Sequence, residues 1–182
     1  MDQNTFFNKD TRILAVDDAP FKKKDSTTKI VGIIMRRDLY IESLTVKNIQ
    51  VDGMDVTDKV LEIINERGKG ISVLLTKGLT FGGFNVLDVK RVFQETMISS
   101  INFMDHKPDM EGIRNALLNH FGDWEKRYNL LSGDFVEMNG MYVQSLGIAT
   151  QTAIKFLNSI TLNGKTPEPL RLADMIAAVV QA

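Results

Sequence analysis

The chain has 182 residues and no cysteine; 43% of its side chains are apolar, 25% are charged, and 22 basic against 23 acidic groups leave a formal net charge of −1. Lack of cysteine excludes a disulfide framework, a thiolate zinc site and a cysteine nucleophile, and the balanced charge excludes a surface coated with cations for indiscriminate nucleic-acid binding. One domain over residues 1–182 is expected. No apolar run approaches the roughly 18 residues of a membrane span, and the opening MDQNTFFNKDTR lacks the basic-then-apolar order of a signal peptide, so a cytoplasmic location is expected.

RILAV (12–16) is a short apolar run closed by DDAP, which predicts a buried strand and a turn. KIVGIIM (29–35) and LYIESLTVKNIQV (39–51) are rich in β-branched residues and lie three residues apart, the pattern of an antiparallel hairpin. After the turn DGMD, residues 55–67 place Val56, Val60, Ile63 and Ile64 at helical spacing, and Gly68 marks the stop. ISVLL (71–75) predicts a strand, Val86–Thr96 a helix, ISSINFM (98–104) a strand, and Asp109–His120 a helix introduced by Pro108. Residues 122–140, with the only tryptophan, Trp124, show no clear period. MYVQSLGI (141–148) reads as a last strand and ATQTAIKFLNSI (149–160) as a helix. TPEPLRLADMIAAVV closes the chain as a helix with Thr166 as N-cap and Pro167 at its first position. Three antiparallel strands, a helix and then parallel βαβ units make a mixed-sheet α/β domain of ribonuclease-H-like order.

Several residues can carry chemistry, and each has a plainer alternative. Asp17 and Asp18 end the first strand, where carboxylates can hold a divalent cation or shape an Asx-type turn before Pro20. Asp52, Asp55 and Asp58 crowd the start of the first helix, as metal ligands or as a turn, a cap and a dipole partner. Asp174 borders the apolar face Ala173, Ile176, Ala177 and Val180 and is free to act, or it pairs with Arg171 at i,i+3. In VLLTKGLTFGGFN (73–85), Lys77 falls at the strand end, the position where open α/β sheets place their ligands. Gly78, Gly82 and Gly83 imply tight turns or a close backbone approach, but the stretch is neither a P-loop nor a GxGxxG fingerprint. FKKK (21–24) offers Lys22, Lys23 and Lys24 as a local phosphate-binding strip or as a solvated loop. His106 and His120 lack metal-motif spacing and read as surface histidines.

The segment PEPLRLAD (167–174), preceded by VQSLGIATQTAIKFL (143–157), resembles the C-terminal part of endonuclease V, a ribonuclease-H-like enzyme that cuts nucleic acid next to deaminated purines. Over most of residues 12–180 the chain more closely resembles a mostly archaeal group of endonuclease V relatives, domain-of-unknown-function family ninety-nine. The matching stretches are RILAVDDAPF, VGIIMRRDLYIESLTVKNIQVDGMDVTDKV, GLTFGGFNVLDV and PEPLRLAD, in that order.

The resemblance implies a Mg²⁺ site, with Mn²⁺ able to substitute, built from acids on the first strand, near the first helix, on the fourth strand and on the last helix. These carry over to Asp17, to one of Asp52, Asp55 or Asp58, and to Asp174; the fourth-strand acid is replaced, because relatives have Asp-Gly where this chain has Lys77-Gly78. At an effective dielectric of about 20, one unit-charge interaction at about 4 Å is worth on the order of 4 kcal/mol, so exchanging a carboxylate for an ammonium weakens a metal site by on the order of several kcal/mol even after relaxation. Lys77 then either neutralises Asp17 in the metal's place or contacts a phosphate directly. The expected function is endonuclease-V-like, metal-assisted phosphodiester hydrolysis near deaminated bases at a degenerate site involving Asp17, Asp174 and Lys77. The alternative is a non-catalytic nucleic-acid-binding module in which Lys77, Gly78 and Lys22–Lys24 grip phosphates.

Overall fold

β-branched runs at the start of the chain pair as a meander. In the computed structural model, which describes residues 6–22, 24–67, 69–138 and 140–180, β1 (Arg12–Asp18), β2 (Thr27–Arg36) and β3 (Ile41–Gln50) are antiparallel neighbours. Helix α1 (Val56–Arg67) returns the chain so that β4 (Ile71–Lys77) lies parallel to β1 on its other side. A small hairpin, β5 (Thr80–Phe81) and β6 (Asn85–Val86), precedes α2 (Val89–Thr96), and β7 (Ser99–Met104) then pairs parallel with β4. This order is the ribonuclease-H-like one expected from the sequence.

Residues 122–140 resolve into α4 (Trp124–Leu131), which follows α3 (Met110–His120), and the short edge strand β8 (Val136–Met138). Strand β9 (Met141–Leu146) lies antiparallel to β7. The seven strands run β3-β2-β1-β4-β7-β9-β8, and helices α5 (Thr150–Ser159) and α6 (Glu168–Ala177) end the fold. No helix among the described residues is long and apolar enough to cross a membrane.

Because β1, β2, β4 and β7 are covered on both faces, their side chains sort by parity into two cores. Leu14, Val16, Ile30, Ile34 and Leu74 pack under α1 to α4. Ile13, Ala15, Val31, Ile33, Val73, Leu75, Ile101 and Phe103 pack under α5 and α6. The same parity carries Asp17, Lys77 and Asp105 onto the α6 side and turns Asp18 to the other.

Two expected element boundaries move. The helix expected from Val86 starts only at Val89, with Asp88 as N-cap accepting from the Arg91 N–H. Residues 85–86 are held instead in the hairpin by Asn85, fully buried, whose Oδ1 accepts from the Val56 N–H while its Nδ2 donates to the Gln50 carbonyl and to Asp55. At the last helix Pro167, not Thr166, occupies the N-cap; its extended backbone (ψ 139°) keeps it outside the first turn, and the Glu168 N–H bonds the Ile160 carbonyl. The helix stop read at Gly68 lies outside the described residues.

Candidate functional site

Parallel neighbours β1, β4 and β7 end side by side, and their C-terminal ends carry the charged groups. Register pairs Val16 with Thr76 and Lys77 with Phe103, so Asp17, Lys77 and Asp105 follow one another across the strand ends. Helix α6 packs over β1 and β2, and its Asp174 is exposed beside this row, close enough for its charge to act on both Asp17 and Lys77. Of the sequence candidates, the fold therefore brings together Asp17, Lys77 and Asp174.

Asp17 is the most perturbed group. Burial pushes its carboxyl up to about 7; the Asp18 N–H, bonded to its Oδ1 at 3.0 Å, opposes the shift, while the charges of Asp18 and Asp174 add to it. Lys77 has only a minor influence on Asp17, because its ammonium is engaged elsewhere: Nζ lies 2.8 Å from Asp105 Oδ2. That contact holds the Lys77 ammonium above its ordinary value, with smaller pulls from Asp17 and Asp174. The sequence reading in which Lys77 neutralises Asp17 is corrected here, since the neighbouring strand supplies a nearer carboxylate. Asp105 was not among the sequence candidates; its place immediately after an apolar strand was the available signal.

Asp18 makes no turn before Pro20. Its Oδ2 accepts the Gly82 N–H at 2.7 Å, and burial raises its carboxyl against that bond. Gly82 is held from two sides, for its carbonyl accepts the Asp52 N–H at 2.8 Å. A side chain at Gly82 or Gly83 is barred by positive φ (52° and 88°) and by close neighbours, Thr28 and Asp52 respectively. Asp52 Oδ1 accepts from the Phe84 N–H, Asp55 accepts from the Gln50 N–H and from Asn85, and Asp58 pairs with Arg91. All three acids near α1 are thus occupied in holding the 82–85 loop and α2 to the sheet. Arg171 pairs with Glu168, not with Asp174. His106 and His120 are exposed.

Lys22 and Lys24 are exposed and, with Lys29, Thr27 and Asn48, line a surface groove of about 570 Å³ that starts just past the end of β1; Lys23 lies outside the described residues. Among the described residues no three of His, Asp and Glu gather as a ready-made metal cage.

The endonuclease dU family model matches residues 9–181. A UPF0215 protein of Pyrococcus horikoshii is 39% identical over 179 residues, covering 94% of this chain and 93% of that one. Among solved structures, a protein of unknown function from Archaeoglobus fulgidus superposes with a TM-score of 0.86 at 29% identity, over 94% of this chain and 98% of that one. Endonuclease V from Ciona intestinalis, in complex with an inosine-containing DNA, superposes with a TM-score of 0.62 at 10% identity, over 92% and 84% of the two chains, a likeness of fold. A match over nearly the whole chain, supported by relatives of almost equal length, establishes that the protein belongs to the endonuclease dU family.

Proposed function

We propose that the chain processes nucleic acid at the row Asp17–Lys77–Asp105 and Asp174, hydrolysing a phosphodiester next to a deaminated base. The observation that carries this reading is Asp17: a half-buried carboxyl at the end of β1, pushed up to about 7, with the nearby cation already committed to Asp105. Such a group favours a further positive charge in its neighbourhood. The family description points to deoxyuridine, and the endonuclease V of like fold is bound to inosine-containing DNA; both bases are products of deamination.

The donors suit Mg²⁺ in one particular manner. Mg²⁺ is commonly held by one or two carboxylates, with waters and substrate phosphates completing its shell. Asp17 and Asp174 are hard oxygen donors on facing elements and fit that role for a single ion shared with the substrate, whereas Asp52 and Asp55 are bonded into the 82–85 loop. When bound, the ion supplies charge neutralisation and a more acidic water. Lys77, steadied by Asp105, presents an ammonium to a non-bridging phosphate oxygen, and Asp18 fixes the glycine loop through the Gly82 N–H.

A second reading, binding without cleavage, is supported by Lys77, an ammonium at the strand ends, and by the exposed Lys22 and Lys24 in the groove that starts past the end of β1. Cleavage of single-stranded DNA and RNA containing uracil or inosine, with Mg²⁺ or Mn²⁺, separates the two when wild type, Asp17→Ala and Lys77→Asp are compared. Cleavage by wild type that falls at least about 100-fold in Asp17→Ala supports hydrolysis. Cleavage appearing only in Lys77→Asp supports the binding module, and absence of both binding and cleavage in all three chains rejects both readings.

A further inference from the structure

Strand β3 is an edge of the sheet, and one of its faces is bare. Ile41, Leu44 and Val46 stand opposite Met35, Ile33 and Val31 of β2. Directly opposed residues point the same way, so the three lie on the side covered by α5 and α6. Helix α6 packs over β1 and β2, yet these β3 side chains are 48%, 45% and 37% exposed. The two charged residues of β3 do not break the row: Glu42 is bonded to Arg12 and Arg36, and Lys47 pairs with Glu62 and Glu66 of α1.

Helix α6 carries a matching surplus. Its buried stripe is Leu170, Ala173 and Ala177, and Asp174 lies on the flank toward Asp17 and Lys77. The Lys29 ammonium, near the start of β2, donates to the Val180 carbonyl at 2.7 Å, which sets the end of the helix level with Asn48 of β3. By the 3.6-residue period, Leu172 and Ile176 then fall on the flank toward β3, half-buried. Met175 faces outward, 52% exposed, with Val179, 75% exposed, just past the helix end. A surface helix shows one apolar stripe; α6 shows two.

We propose that this face joins two copies of the chain, with α6 of each lying across β3 of the other. A twofold axis parallel to α6 sets the two helices side by side and brings Leu172 and Ile176 against their own counterparts. It also lays Met175 and Val179 over Leu44 and Val46 of the other copy. Each chain thus supplies the helix that the other's β3 lacks. The five exposed side chains present on the order of 450 Å² of apolar surface per copy. With Leu172, Ile176 and the rim, a twofold contact reaches the roughly 1,200–2,000 Å² of a stable interface. A net charge of −1 leaves little repulsion between copies. Asp174 is on the opposite flank, so the row Asp17–Lys77–Asp105 stays open and the dimer is independent of the nucleic-acid reading.

The test is sedimentation velocity on the full chain between about 1 and 100 µM, where wild type should move from 20.5 kDa to twice that mass. Leu44→Lys and Met175→Glu should each raise the dimer dissociation constant at least about tenfold, with Tm within a few degrees of wild type because both side chains are half-exposed. The double variant sets the two new charges opposite each other across the contact and should regain part of the lost affinity. The chain has no cysteine, so a chain carrying Val46→Cys, mixed with one carrying Met175→Cys, should form a mixed disulfide dimer on mild oxidation. Val136→Cys, on the far edge strand, should form none with Met175→Cys. A single 20.5 kDa species at every concentration overturns the proposal, and that arm needs only wild-type protein. A dimer left intact by both charge variants, or one whose disulfide forms through Val136 and not Val46, overturns it as well.

Discussion

At the scale of single residues, Asp17 sets the pH response of the site. Its folded-state value of about 7 lies above the ordinary 3.8, so the native chain holds a proton there that the unfolded chain has released. Its contribution to stability is full below about pH 4 and is lost as pH rises through about 7. About three units correspond to at most roughly 4 kcal/mol. Metal-free protein should therefore unfold at a lower temperature at pH 8 than at pH 6, and Asp17→Asn should flatten that difference and raise Tm at pH 8. Mg²⁺ at ten times its Kd should add about 1.4 kcal/mol at pH 8, less at pH 6 where the proton competes, and nothing in Asp17→Asn; calorimetric scans with and without the ion check all three. Asp17 and Asp174 were legible because each ends or borders an apolar run inside a stretch shared with relatives. Asp105 was not, because its pairing with Lys77 comes from strand register, which joins residues far apart in the chain.

Among the elements, α4 holds the glycine loop in place, and it does so with a charge. Arg127 is almost wholly buried, donates to the Gly53 carbonyl at 2.9 Å and the Phe84 carbonyl at 2.6 Å, pairs with Asp123 and lies over the Phe121 ring at 4.4 Å. Arg127→Met leaves both carbonyls without that donor and should cost about 2–4 kcal/mol in urea unfolding. Arg91→Met, which breaks exposed pairs with Asp58 and Glu95, should cost less than about 1 kcal/mol. Equal losses in the two variants would contradict the assignment. Arg127 also explains why 122–140 had no readable period: the inward positions of α4 are Arg127 and Leu131, so a buried arginine interrupts the apolar pattern. The strands of the central sheet were legible for the opposite reason, since burial on both faces writes them as continuous apolar runs. The late start of α2 was hidden because Asn85, a polar residue, is pinned by tertiary bonds no local rule contains.

Across the whole molecule the near-zero charge is unevenly placed. Acids gather at the end of β1, and the groove holding Lys22, Lys24 and Lys29 begins directly beyond it, after Ala19 and Pro20. A backbone laid along that groove would reach the strand ends with its phosphates already neutralised on one side. The two exposed lysines are expected to act on affinity alone. For single strands each phosphate contact contributes about 0.7 to the slope of log K against log salt, so Lys22→Ser combined with Lys24→Ser should lower that slope by roughly 1.4. The loss should be the same for every sequence, because phosphate contacts carry no base information. Salt titrations of oligonucleotide binding for wild type and the double variant check this: a double lysine variant with an unchanged slope would move the backbone path away from this groove and leave Lys77 as the cation that meets the phosphate.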